Sequence, residues 1–272
     1  MRGRGLLFGL QTVLGLSAKG FFIPYRYAAS VRPAGYPALE PLFAAAAPGI
    51  RDVLRAVEDC RTPLRAIDGS DGLARWTQDW FPRLDAAAAY AIVRGAKPRR
   101  IVEIGSGHST RFMARAVADA GLPTRIVCID PAPRAAIAKL PVTHVKAVLA
   151  EADPVVLAEL GAGDILFIDS SHIAMPGTDV DRLFLDVLPR LPAGVLVHVH
   201  DILLPDAYPP EWGWRGYNEQ LVAGALLQGG GWEIVFASRY AATRLSEDVA
   251  KAVGDLPLLP GAFETSLWLR KR

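Results

Sequence analysis

The chain has 272 residues, 51% hydrophobic and 21% charged, enough for one large α/β domain or for a core domain with a smaller appendage. A net charge of +2, with no long basic run, speaks against a nucleic-acid binder. Two cysteines, Cys60 and Cys128, argue against a disulfide framework and fit a reducing, cytoplasmic location.

At the start of the chain, Arg2 and Arg4 precede the apolar run GLLFGLQTVLGL. The run contains Gln11, is too short to span a bilayer, and leads into SAKGFFIP without a clear cleavage site. A helix lying on a membrane surface or packed on its own protein is therefore expected ahead of a cleaved signal. Between about 30 and 80, Pro33, Pro37, Pro41, Pro48 and Pro63 divide the text into short helices such as LFAAAA and IRDVLRAVEDC. The first long helix is DAAAAYAIVRGA, with Asp85 as its N-cap and Pro98 closing it.

From there strands and helices alternate. The strands are IVEIG (101–105), RIVCID (125–130), a weaker THVKAVL (143–149), DILFID (164–169), GVLVHVHDI (194–202), WEIVFAS (232–238) and TSLWLRK (265–271). Between them lie the helical stretches STRFMARAVADAG, DPVVLAEL, VDRLFLDVLPRL and YNEQLVAGALLQ. Continuous apolar strands alternating with amphipathic helices predict a parallel sheet covered on both faces. The fold class is α/β: a Rossmann-like, doubly wound, mostly parallel seven-stranded sheet over 85–272, with an N-terminal helical and irregular extension over 1–84. Ligands of such sheets bind beyond the carboxyl ends of the strands, where Glu103 and Gly105, Asp130, Asp169, and His200 with Asp201 fall.

The turn EIGSGHST opens a helix directly after a strand. Gly105 and Gly107 let the backbone turn tightly, and Ser109 or Thr110 can cap the helix. A dinucleotide fingerprint would place a third glycine at Thr110, and a Walker loop would need Gly-Lys-Ser/Thr. Glu103 beside the turn disfavours a pyrophosphate and suits a ligand with positive charge.

VEIGSGHST, followed by CIDP at the next strand end, resembles the class I S-adenosylmethionine (SAM)-dependent methyltransferases over about residues 85–270. The resemblance implies SAM as cofactor. Glu103, Gly105, Ser106, Gly107 and Ser109 would stand at its amino-acid end, Asp130 on the ribose and Asp169 at the cleft centre. GDILFIDSSH followed by LPAGVLVHVHDIL is similar to a small-molecule branch, family 24, and more distantly to the catechol-type O-methyltransferases. By position, the catechol-type metal ligands become Asp169, His200 and Asp201, and the general base becomes His172.

That set would favour a divalent ion (magnesium, manganese, iron or zinc), with imidazole moving preference away from magnesium. The metal-free alternative is an acid–imidazole hydrogen bond at His200 and Asp201 that orients one base. His198 reads as a core histidine, and His108 and His144 as structural. Asp179 and Asp181 read as the cap or start of the next helix. RWTQDWFPRLD and the loop bearing Trp212, Trp214, Arg215, Tyr217 and Asn218 are candidate walls of an acceptor pocket.

The expected function is SAM-dependent methyl transfer to an oxygen of a small or glycosylated metabolite, metal-assisted or not, with contact to a membrane surface and self-association both left open. The alternatives are a metal-dependent oxygenase or hydrolase on the same fold, and a non-catalytic binding protein.

Overall fold

The computed structural model describes residues 2–70 and 73–272. All seven expected strands are present: β1 (Arg100–Ile104), β2 (Arg125–Ile129), β3 (Thr143–Val145), β4 (Ile165–Ile168), β5 (Leu196–Val199), β6 (Trp232–Ala237) and β7 (Leu267–Lys271). They form one α/β, Rossmann-like sheet in the order β3-β2-β1-β4-β5-β7-β6. β1 to β5 pair in parallel, and β7 runs antiparallel between β5 and β6. Ile165–Ile168 and Leu196–Val199 are buried at every position. Continuous apolar text was therefore the right signal for strands covered on both faces.

The strand order reverses between β1 and β4, which opens a crevice at their carboxyl ends. Glu40–Asp59, Arg83–Ala96 and Ser246–Val253 pack on one another, Glu40–Asp59 also against β6, and Arg83–Ala96 against His108–Asp119. The core is continuous from Leu39 to Leu269, so the helices before residue 85 share it with the sheet.

Two local readings need correction. Glu40–Asp59 is a single 20-residue helix with Pro48 inside it, not two short ones. An interior proline costs about 3 kcal/mol, but Phe43, Ala47, Ile50, Leu54 and Val57 form one buried stripe whose packing offsets that cost. Asp85 is not an N-cap: the helix starts at Arg83, with Pro82 before it. Asp85 is instead fully buried, and its carboxylate accepts the backbone N–H groups of Thr265 and Ser266 just ahead of β7. Burial pushes Asp85 up to about 6 despite the pull of nearby His200.

Candidate active site

The ladder continues one residue past each central strand. Gly105 N–H donates to Ile129, Asp130 N–H to Val145, Asp169 N–H to Ile104 and His200 N–H to Ile168. The four residues singled out at strand ends thus stand in one row along the open edge of the sheet.

Over one half of that row lies a cleft of about 570 Å³, lined by Gly105, Ser106, Asp130, Asp169, the apolar residues Ile129, Pro131, Val148 and Leu149, and by Gly177, Thr178, Asp179 and Asp181. Gly105 has φ of +80°, and a Cβ there would fall 1.9 Å from the Asp169 carbonyl oxygen. Only glycine lets the turn pass that close to the neighbouring strand end. Gly105→Ala is therefore expected to cost at least about 3 kcal/mol, the sum of a left-handed alanine and an overpacked contact. Urea unfolding measures it, and a loss below about 1 kcal/mol would show that the turn can shift.

Asp130 holds the turn from the next strand end. One of its oxygens accepts from Ser106 N–H (2.7 Å) and Ser106 Oγ (2.9 Å), and the other from Ala132 N–H (2.7 Å). The oxygen that bonds Ala132 keeps a lone pair for a ligand hydroxyl. Glu103 and Ser109, expected beside the ligand, lie beneath the turn instead. The Glu103 carboxylate is fully buried and accepts from Ser109 Oγ, Thr110 Oγ1 (both 2.6 Å) and Cys128 Sγ (3.3 Å). Thr110 Oγ1 in turn accepts Gly107 N–H. Burial pushes Glu103 up to about 7 against these donors. Its role here is to shape the turn from below.

On the other half of the row a charged cluster assembles from distant segments. His172 Nδ1 lies 2.8 Å from Glu219 Oε2, while Nε2 faces Asp169 Oδ1 (3.3 Å) and Asp201 Oδ2 (3.6 Å). Burial pushes the imidazole down, but hydrogen bonds to Asp169 and Glu219 and the Asp201 charge outweigh it and hold it well above its usual value. His172 is buried and lines neither the large cleft nor the small compartment beside it. With both ring nitrogens turned to carboxylates it is a cation behind the site, not the free base expected from its position in the sequence. His172 (φ 60°) and Asp201 (φ 54°) are both left-handed without being glycine, an arrangement that costs about 1–3 kcal/mol each and clusters at functional sites.

His200 differs. Its Nε2 is 3.0 Å from the carbonyl oxygen of Trp80, which can only accept, so Nε2 carries the hydrogen. In the neutral ring Nδ1 is then the lone-pair nitrogen; it is buried and has no hydrogen-bond partner in the protein. Burial lowers this imidazole, yet Asp169, Asp201 and Asp85 together raise it above its usual value. His198 is a core residue as expected: buried, 2.8 Å from Ser266 Oγ, stacked on Phe167 and held neutral by burial.

Asp169, His200 and Asp201 line a second, smaller compartment of about 100 Å³ with Asp79, Trp80, Arg134, Trp212, Arg215 and Phe263. Arg134 stacks on Trp80, and Arg215 stacks on Trp212 while approaching Asp201 to 3.5 Å. Asp169 and Arg134 line both compartments. Of the five loop residues named as candidate walls, Trp212 and Arg215 line this compartment, and Asn218 braces Ala174.

The expected metal set does not fit as placed. Among the described residues no group of three or more His, Cys, Asp and Glu is arranged to hold an ion. The carboxylates of Asp169 and Asp201 already face His172 Nε2 at 3.3 and 3.6 Å.

Sequence reasoning missed Glu219, Thr265 and Arg134. Glu219 read only as part of the helical stretch YNEQLVAGALLQ, and Thr265 as a strand residue, yet Thr265 Oγ1 donates to Asp201 Oδ1 at 3.1 Å. The signal for Arg134 was its place just after CIDP at the β2 end.

Residues 102–202 match the family-24 methyltransferase model, described as a methyltransferase domain. The fold is similar to that of the SAH-bound methyltransferase PaMTH1 of Podospora anserina, at 19% identity over 93% of this chain and 99% of that one, with a TM-score of 0.44. It is also similar to the plantazolicin methyltransferase BpumL in complex with SAH, at 13% identity over 86% and 98%, with a TM-score of 0.43. No curated protein matches the chain.

Proposed function

We propose that this chain, which carries the class I fold of SAM-dependent methyltransferases, methylates an oxygen of a small or glycosylated metabolite. The observation that carries the reading is that two compartments of unequal size and chemistry meet at Asp169 and Arg134. A group-transfer site needs this: one ligand held on each side and a shared wall where they react.

The cradle at Gly105, which a Cβ would fill, and the Asp130 carboxylate facing the cleft fit SAM. Asp130 would hold the ribose hydroxyls, the Gly105–Ser106 turn the amino-acid end, and Ile129, Pro131, Val148 and Leu149 the adenine. When bound, SAM supplies a sulfonium-activated methyl group. On the other side, Trp80 and Trp212 with their stacked arginines wall the acceptor's reacting end. His200 takes the acceptor's proton at Nδ1, its tautomer fixed by the Trp80 carbonyl. His172 and Arg215 supply positive charge beside the carboxylates, so the reading is metal-independent.

Isothermal titration is expected to show binding of both SAM and SAH, weakened roughly tenfold to a hundredfold by Asp130→Ala through loss of charge-assisted hydrogen bonds. Absence of binding of either at millimolar ligand overturns the reading.

A further inference from the structure

We infer that the segment from Arg2 to Arg32 is a docking face for an anionic lipid surface. Its helix, Arg2–Val13, is about 18 Å long, far too short to cross a bilayer. It is also turned inside out relative to an ordinary surface helix. Phe8, Gln11 and Thr12 form the half-buried face, while Leu6 (66% exposed), Leu10 and Val13 form an apolar stripe toward solvent. Phe21, Phe22 (69% exposed) and Ile23 extend that apolar surface past the end of the helix. A contiguous exposed patch of this kind marks an interaction surface.

Charge identifies the partner. Arg2, Arg4, Lys19, Arg26 and Arg32 lie in this stretch, and no acidic residue occurs before Glu40. The chain's whole net charge is only +2, so everything after this segment is net acidic. An anionic bilayer would attract the segment, repel the body and so orient the molecule. A second copy would instead set two basic segments against each other across a symmetric contact, which like charges oppose.

The segment is continuous with the site. An apolar groove of about 880 Å³ runs between Phe8, Phe21 and Ile23 on one side and Met175 and Trp214 on the other. Arg215 lines both this groove and the smaller compartment.

The test is co-sedimentation of the full chain with vesicles of phosphatidylcholine alone or mixed with phosphatidylglycerol. Binding is expected to the mixed vesicles at low salt and to fall as salt is raised. The triple variant Lys19→Glu, Arg26→Glu, Arg32→Glu is expected to lower the partition coefficient by roughly tenfold or more. Leu6→Ser, Leu10→Ser, Phe22→Ser is expected to do the same, with thermal unfolding and SAH affinity unchanged because every altered side chain is exposed. No sedimentation with anionic vesicles, or binding indifferent to the charge variant, overturns the inference. So does a dimer in analytical ultracentrifugation that the apolar variant abolishes, without lipid binding. The inference is independent of the methyl-transfer reading: a chain that fails to bind SAH can still bind vesicles.

Discussion

His200→Gln is expected to lower kcat by about 10²–10⁴-fold, the usual loss on removing a general base, while SAH affinity changes by less than about threefold. Of His172 and His200, His200 lines the acceptor compartment and His172 does not. Its Nε2 is committed to Trp80 and its Nδ1 is unpartnered. Glutamine keeps a donor for the Trp80 carbonyl and removes the basic nitrogen. The pH profile separates this role from a structural one. A base must be deprotonated, so kcat should rise about tenfold per pH unit up to the His200 pKa. The carboxylates of Asp169, Asp201 and Asp85 place that limb above the usual histidine value, while His172⁺ pulls the other way. The variant's residual rate should lack the limb. A variant that retains more than about a tenth of kcat would move the base elsewhere.

How much of this could be read from sequence depended on whether the deciding contact was local. Six of the seven strands were legible as mostly apolar runs, the exposed β3 only weakly, and the row of Gly105, Asp130, Asp169 and His200 because strand ends in such a sheet stand side by side. The role of Glu103 was not legible: nothing in VEIGSGHST says that Ser109 and Thr110 fold back over the carboxylate and hide it. Nor was the state of His172, which depends on Glu219, 47 residues away. The tautomer of His200 depends on a backbone carbonyl 120 residues away, which carries no sequence signature at all. Pro48 was misread for the same reason, since the packing that tolerates it comes from β6 and neighbouring helices.

The buried charge cluster makes the second prediction one of stability. His172→Ala leaves Glu219, which is fully buried, without its partner and sets Asp169 and Asp201 beside each other without the cation between them. Breaking a buried pair by removing one member costs about 3–5 kcal/mol. At this chain length that corresponds to a fall in Tm of about 6–20 °C. The neighbouring groups also set the sign of the pH dependence. His172 is held above its unfolded value by Asp169, Glu219 and Asp201, with burial opposing. The stabilisation is therefore fully present below the unfolded histidine pKa of about 6.5 and is lost as pH rises through the higher folded value. Thermal melts of wild type and His172→Ala should accordingly differ most at slightly acidic pH and converge in alkaline buffer. Adding Glu219→Gln to His172→Ala removes the stranded charge and should recover more than half of the lost stability, a coupling that a double-mutant cycle reads directly. If His172→Ala costs less than about 1 kcal/mol at every pH, the cluster is not holding the loop after β4 to the start of the helix Glu219–Gln228.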